Sequence, residues 1–404
     1  MEKTRIVILG GGMVAGYAAK QLVELGLPSG DLTILSSDDE LPYERPPLSK
    51  GFLAGKDNLE SIRINPPEFY REHAIDVRLS SEVESVDPAA KRLHLKTGGE
   101  LGFDKVVIAT GARPRRLNLP GAGLDGIHYL RSVDDSRKIR EHAGSAKRAT
   151  VIGSGFIGME VAAVLSQKSI ETTLIIRSGH IWGQFFTPGM SNFFESYYTA
   201  RGVKIERDAS VESFAGDGVV SAVRLASGRT VSTDLVVAGI GAEPVTEFLA
   251  SSGIELSDGV VVNEFLETGH AGIYAAGDVA NYNDVLYGKR RRVEHWDNAV
   301  SQGQHCARLL MGDRRPFRHV PYFFSDEFDL SYEYWGDSSG ADQVVTRGDL
   351  TTSSFSVWWL RGPQLVAAFV MNRPDDERTV APQWIESKRP VAAQDLRDAS
   401  HDLS

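Results

Sequence analysis

Two glycine turns stand where phosphate chemistry would need them. In RIVILGGGMVAGYAAKQL (5–22) an apolar, β-branched run leads into Gly10, Gly11 and Gly12, and a helical pattern follows. Gly10 permits a tight turn, Gly12 lets the backbone approach a pyrophosphate, and small Ala15 and Gly16 let the helix pack closely on the strand. The phosphates of a dinucleotide would rest on the N–H groups at the helix start, where the dipole favours negative charge. A second strand is expected over 31–35, and Asp38 follows it at the spacing from which a carboxylate receives ribose hydroxyls. The stretch ATVIGSGFIGMEVAAVLSQ repeats the plan with Gly153, Gly155 and Gly158, and ETTLIIR supplies the next strand. No acid stands at the end of that strand; it runs out into Ile176, Arg177 and Ser178. A carboxylate there would repel a 2′-phosphate, whereas Arg177 either pairs with one or points at water. The first alternative leans the site toward NADPH, or toward indifference between NADPH and NADH.

Two such units in one chain imply two dinucleotides brought face to face, one held and one exchanging, which is the logic of an electron-transfer flavoenzyme. Three further stretches follow in order. KVVIATGARPRRL is a strand ending in Ala109, Thr110 and Gly111, GIGAEP (239–244) contains Gly241, and GIYAAGDVANY is a strand leading to Asp278. The first and last resemble the two other signatures of two-dinucleotide flavoproteins, with GIGAEP between them, and in such proteins the last segment delivers its aspartate to the ribitol and phosphate region of FAD.

The stretches LPYERPPLSKGFL, YLRSVDDSRKI, RRVEHWDNA and YEYWGD resemble the FAD-dependent ferredoxin reductase family within the pyridine nucleotide-disulfide oxidoreductases. Within it GGGMVAGYAA, FFTPGMSNFFESYYTARGV and VPYFFSDEFDLSYEYWGD are most similar to the monodehydroascorbate reductase subgroup, and the similarity runs from residue 5 to about residue 372. The resemblance implies that Gly10, Gly12, Ala15 and Asp38 hold the adenosine half of FAD. It places Arg45, Lys50, Val83, Thr110, Arg131 and Asp278 along the same cofactor, with Trp296 flanking the isoalloxazine. Lys50 would lie beside flavin N5 and Glu160 at the nicotinamide end of NAD(P)H. A cation near the ring favours the electron density of reduced flavin, and a carboxylate can pair with that cation or accept carboxamide hydrogen bonds. Glu160 has a second reading as a first-turn helix acid favoured by the dipole. Trp335 is either a flavin neighbour or a core aromatic. His295 is read as structural, because hydride transfer between two bound rings needs positioning rather than a general base.

The fold expected is α/β, with two Rossmann-like dinucleotide-binding domains, for FAD and NAD(P), and a C-terminal α+β domain. The FAD-binding domain is discontinuous, 1–114 and 244–317; the NAD(P)-binding domain is inserted as 115–243, and the C-terminal domain covers 318–404. In the last, FSVWWL and QLVAAFVM separated by RGP read as strands joined by a tight turn.

Composition bounds the rest. A chain of 404 residues that is 42% apolar has material for two or three packed domains. No apolar run reaches the roughly 18 residues of a membrane span, so the cytoplasm is the expected location. One cysteine, Cys306, rules out a disulfide framework and a CxxC redox pair; it is read as a small buried hydrophobe. A formal charge of −10 argues against a nucleic-acid surface. The local run Lys289, Arg290, Arg291, Arg292 is either solvated loop or a docking site for an acidic partner. The expected partners are a small-molecule radical acceptor, such as the ascorbyl radical, or a ferredoxin- or rubredoxin-like electron carrier. Where the monodehydroascorbate subgroup uses an arginine to attract that anionic radical, this chain has Asp326 followed by Glu327. A different class of function, a redox-responsive NAD(P)H-binding flavoprotein resembling apoptosis-inducing factor, carries the same two dinucleotide units.

Overall fold

The computed structural model describes residues 4–183, 185–398, 401 and 403. The chain divides into two compact units. Unit 1 is formed by 1–45, 58–113 and 242–321, and unit 2 by 46–57, 114–241 and 322–404.

Unit 1 is built on a parallel sheet of five strands in the order Ile273–Ala275, Lys105–Ile108, Ile6–Leu9, Leu32–Leu35, Asp76–Arg78. Ile6 faces Leu32 on one side and Lys105 on the other, so the strand before the first glycine turn lies at the centre. All four of its residues are buried, as a strand covered on both faces requires. Helix Met13–Glu24 turns Val14, Ala15, Ala18, Ala19 and Leu22 into the core that includes Ala299, Ala307 and Leu310 of helix Trp296–Leu310. An antiparallel meander, Val83–Asp87, Arg92–Leu95 and Glu100–Gly102, and a second small sheet, Val260–Val262, Ala280–Asp284 and Lys289–Arg291, complete it.

Unit 2 repeats the parallel plan in the order Lys204–Glu206, Glu171–Ile175, Arg148–Ile152, Leu235–Ala238, Ile127–His128. Helix Phe156–Gln167 follows its central strand. The same unit carries a five-stranded antiparallel sheet in the order Tyr322–Glu327, Leu330–Gly336, Gln364–Met371, Ser354–Arg361, Gln343–Asp349. FSVWWL and QLVAAFVM are neighbouring strands among its three inner ones, with Arg361 opposite Gln364 across a two-residue turn. Ser354–Arg361 does not alternate: its six central residues are all buried. On one side Trp358 meets Trp384 of helix Asp375–Ser387, and on the other Phe355 meets Phe193 of helix Pro188–Ala200. A strand covered on both faces has no polar side to show.

The short segment 46–57 sits within the range expected for the flavin domain, yet it packs in unit 2. The carbonyl of Leu48 accepts from Ser136 Oγ at 2.7 Å, that of Phe52 from Arg140, and that of Ala54 from Lys168 Nζ at 3.1 Å. No described helix is long and apolar enough to cross a membrane.

Candidate functional site

In unit 1 Gly10 adopts φ +119°, and a Cβ there would lie 2.2 Å from the Ala109 carbonyl oxygen, so only glycine passes. Gly12 opens helix Met13–Glu24 as its N-cap and supplies no side-chain acceptor. Among the described residues the first-turn N–H groups therefore lack a side-chain cap, and the nearest heavy atom to a Cβ on Gly12 is Arg45 Nη2 at 4.0 Å. An uncapped helix start under open space, with a guanidinium at its edge, is a place for a phosphate. Ala15 is buried in the helix; Gly16 makes room for Ile64 rather than for the strand, since a Cβ on it would meet Ile64 Cδ1 at 2.7 Å.

Asp38 is half-buried and accepts from the Tyr43 hydroxyl at 2.7 Å and the Glu40 N–H at 3.3 Å; the Arg45 guanidinium lies 5.0 Å over the Tyr43 ring. Val83 begins the meander, and Thr110 Oγ1 donates to the Val245 carbonyl at 2.8 Å, tying the end of one parallel strand to the returning chain. Asp278 sits in a single helical turn, Gly277–Val279, directly after strand Ile273–Ala275. Trp296 begins its helix and donates from Nε1 to Glu44 Oε2 at 2.6 Å, while the Tyr17 hydroxyl donates to Glu44 Oε1 at 2.5 Å. Glu44 thus orients the tryptophan; it stands inside YERPPLSK, but only the fold brings it to Trp296. Burial pushes the His295 imidazole down to about 4, so it is neutral at neutral pH and fits the structural reading.

In unit 2 the second turn repeats the first. Gly153 has φ +102°, with the Gly239 carbonyl oxygen 2.2 Å from a would-be Cβ, and one on Gly158 would lie 2.0 Å from the Gly153 carbonyl oxygen. Gly155 caps helix Phe156–Gln167 without a side chain, and beyond its chain neighbours no described residue lies within 4 Å of the position its Cβ would take. Gly241, at φ +101°, follows the neighbouring strand Leu235–Ala238. Arg177 is exposed just beyond strand Glu171–Ile175. Arg131 is half-buried, its backbone N–H held by Asp135 at 3.0 Å in a capping box at the start of helix Val133–Ala143.

Glu160 is the fifth residue of its helix and no acid stands in the first turn, which sets aside the helix-dipole reading. Its buried carboxylate instead pairs with Lys50: Nζ is 2.6 Å from Oε1. Ser325 Oγ is also 2.6 Å from Oε1, and Ser49 Oγ donates to Oε2. Lys50 Nζ lies 5.8 Å from the centre of the Phe324 ring. A single ion pair thus receives groups from segment 46–57, helix Phe156–Gln167 and strand Tyr322–Glu327. Trp335 is buried in strand Leu330–Gly336 with its ring 5.4 Å from that of Tyr322. Asp326 and Glu327, equivalent in sequence, differ in space: Asp326 is exposed, whereas Glu327 is 1% exposed.

Two further expectations meet the structure differently. Cys306 is fully buried, and burial pushes its thiol up to about 12, so the buried-hydrophobe reading holds. The run at 289–292 is not a free cationic patch. Arg290 Nη1 donates to the carbonyl of Val262, Arg291 pairs with buried Asp284, and Arg292 with Asp258 and Glu294. Strand Lys289–Arg291 pairs with Ala280–Asp284, and that pairing brings arginine and aspartate together. The docking role expected of the run is withdrawn on that ground.

Twin parallel sheets, each opening on an uncapped glycine turn with room above it, define a two-dinucleotide oxidoreductase, and the buried lysine–glutamate pair is suited to a reducible ring. Comparison with known proteins carries this further: residues 4–303 match the family described as pyridine nucleotide-disulphide oxidoreductase, and residues 322–404 match reductase C-terminal, so the chain belongs to this flavoprotein reductase family. It is 33% identical to rhodocoxin reductase of Rhodococcus erythropolis, covering 98% of this chain and 93% of that protein. It is also 33% identical to monodehydroascorbate reductase of Pisum sativum, covering 93% of each. A solved covalent complex of putidaredoxin reductase with putidaredoxin superposes with a TM-score of 0.94 at 31% identity, over 98% of this chain and 96% of that one. The chain is an FAD-dependent NAD(P)H oxidoreductase. With one cysteine, already buried, it has no disulfide chemistry of its own despite the family's name.

Proposed function

We propose that this protein draws hydride equivalents from NAD(P)H and delivers them as single electrons to a small iron–sulfur protein. FAD, when bound, supplies a carrier that accepts two electrons as a hydride at N5 and releases them singly. We assign its phosphates to the turn at Gly10 and Gly12, its ribose to Asp38, and its remaining length to Arg45, Val83, Thr110, Arg131, Asp278 and Trp296, with Trp335 on the acceptor side. NAD(P)H goes to Gly153, Gly155, Gly158 and Gly241, with Arg177 at the ribose end and NADPH used at least as well as NADH. On this reading 1–114 with 244–317 is the FAD-binding domain, 115–243 the NAD(P)-binding domain and 318–404 the acceptor-side domain. Lys50 is the cation beside the ring, and Glu160 holds it in place. A cytoplasmic setting fits a chain with a single, buried cysteine and therefore no internal disulfide.

The observation that carries the choice of acceptor is exposed Asp326, standing where an arginine would attract a small anionic radical. The radical remains the second reading, favoured by the 33% identity to a monodehydroascorbate reductase. NAD(P)H oxidation measured with a ferredoxin and cytochrome c, and separately with an ascorbyl-generating system, decides between them. Faster turnover with the ferredoxin is expected; turnover confined to the radical overturns the assignment.

A further inference from the structure

Behind the Lys50–Glu160 pair lies a buried acid that the reading above does not use. Strand Tyr322–Glu327 turns Ser325 and Glu327, two residues apart, to the same side, and both are buried. Ser325 Oγ is 2.6 Å from Glu160 Oε1 and 3.5 Å from Glu327 Oε1, the long link of the chain. The Tyr332 hydroxyl is 3.2 Å from the same Glu327 oxygen, and Tyr198 of helix Pro188–Ala200 faces the carboxyl as well. Glu160 and Lys50 are the charged groups that act on it. Glu327 Oε2 is buried and has no hydrogen-bond partner among the described residues.

Counting protons sets the directions. Glu160 accepts from one ammonium and two hydroxyls. The only proton of Ser325 points at Glu160, so toward Glu327 its oxygen is an acceptor. A hydrogen bond across that gap needs the proton on Glu327. The Tyr332 hydroxyl donates to Glu327 Oε1, and the Tyr198 hydroxyl, which donates to the Met159 carbonyl at 3.1 Å, also faces the carboxyl; both contacts work against the rise that burial causes. Burial, reinforced by the charge of Glu160, pushes Glu327 up to about 8, so at neutral pH it is the neutral acid.

We propose that Glu327 is a proton store joined to Glu160 through the Ser325 hydroxyl. The Glu327 O–H bond breaks as its proton passes to Ser325 Oγ, and the proton of Ser325 passes to Glu160 Oε1; no electrons move and the net charge is unchanged. The negative charge shifts from Glu160 to Glu327, and Lys50 loses the carboxylate that neutralises it. An uncompensated ammonium favours electron density on a neighbouring ring, and Glu327 reclaims the proton when that density leaves. Glu327 is a positioning residue for charge, and its effect on the ring rests on the reading of Lys50 as the cation beside the flavin.

Infrared spectra of the FAD-loaded protein with isotope-labelled glutamate should contain a protonated-carboxyl band at neutral pH that titrates through about 8 and is lost in Glu327→Gln. The midpoint potential of the bound flavin should bend with pH over the same range, and Glu327→Gln should abolish the bend. Ser325→Ala, which keeps both carboxyls and cuts the link, should keep the band and lose most of the bend. Absence of the band from the unaltered protein overturns the store, whether or not the variants fold. A bend that survives Ser325→Ala overturns the link. A titrating band beside a potential that neither Lys50→Ala nor Glu327→Gln moves overturns the reading of Lys50 instead.

Discussion

Ser49 and Glu160 are separated by 111 positions in the chain, yet they and Lys50 share one buried carboxylate. Removing the lysine leaves that carboxylate with two hydroxyls and no cation. Lys50→Ala should therefore retain FAD, lose about 3 kcal/mol of stability as a broken buried pair does, and be reduced more slowly by NAD(P)H in a stopped-flow experiment. Reduction as fast as in the parent would remove Lys50 from its place beside N5. Glu327 carries the opposite pH signature from a salt-bridged acid. Its folded pKa lies near 8, above the ordinary carboxylate value, so the folded state binds that proton more tightly than the unfolded chain. The stability this contributes is fully present below the ordinary carboxylate range and is lost as pH rises through about 8, at up to about 1.4 kcal/mol per pH unit. Glu327→Gln cannot ionise, so the fall in its melting temperature between about pH 5 and about pH 8 should be smaller than the parent's. Equal slopes would mean that the carboxyl is already ionised at the lower pH.

At the scale of elements, a motif's chemistry depends on what its strand pairs with. The arginines at 290–292 look like a cationic surface in one dimension, but the pairing of Lys289–Arg291 with Ala280–Asp284 puts Arg291 on Asp284, whose side chain is 3% exposed. Arg291→Ala should therefore act as a stability lesion of about 3 kcal/mol, read as a lower denaturation midpoint, and should leave acceptor turnover in the folded fraction unchanged. Weakened, salt-sensitive acceptor binding with normal stability would restore the run as a docking surface. The strands and helices of both glycine turns were legible because a buried strand, a forced glycine and a small-residue helix face are local requirements. Glu44, Ser325 and Glu327 were not, because nothing in their neighbourhood along the chain separates a buried acid or hydroxyl from an exposed one.

For the whole molecule the open quantities are which nucleotide enters and which acceptor leaves reduced. Arg177 is exposed beyond its strand with no acid at the ribose end. Arg177→Glu should move preference from NADPH toward NADH by roughly tenfold to a hundredfold in the ratio of kcat/KM, the worth of one charge-assisted pair. An unchanged ratio would place the guanidinium in solvent. Asp326→Arg, at an exposed strand position where it disturbs no core, should raise turnover with the anionic ascorbyl radical, and the gain should shrink as ionic strength rises past about 0.1 M. Ascorbyl turnover that is already fast and unaffected by the change would end the role given to Asp326.

By itself the sequence determined the two dinucleotide units, the absence of cysteine redox chemistry and the inner hairpin of the C-terminal sheet, since each rests on local steric demands or on a residue count. Tertiary structure decided what each charge does. It put Glu160 beyond the first turn of its helix and against Lys50, turned Asp326 to water and Glu327 inward, and paired Arg291 and Arg292 with acids. The physical reason is that a side chain's protonation and role follow from burial and from partners brought by distant segments. Spacing along the chain does not encode either one.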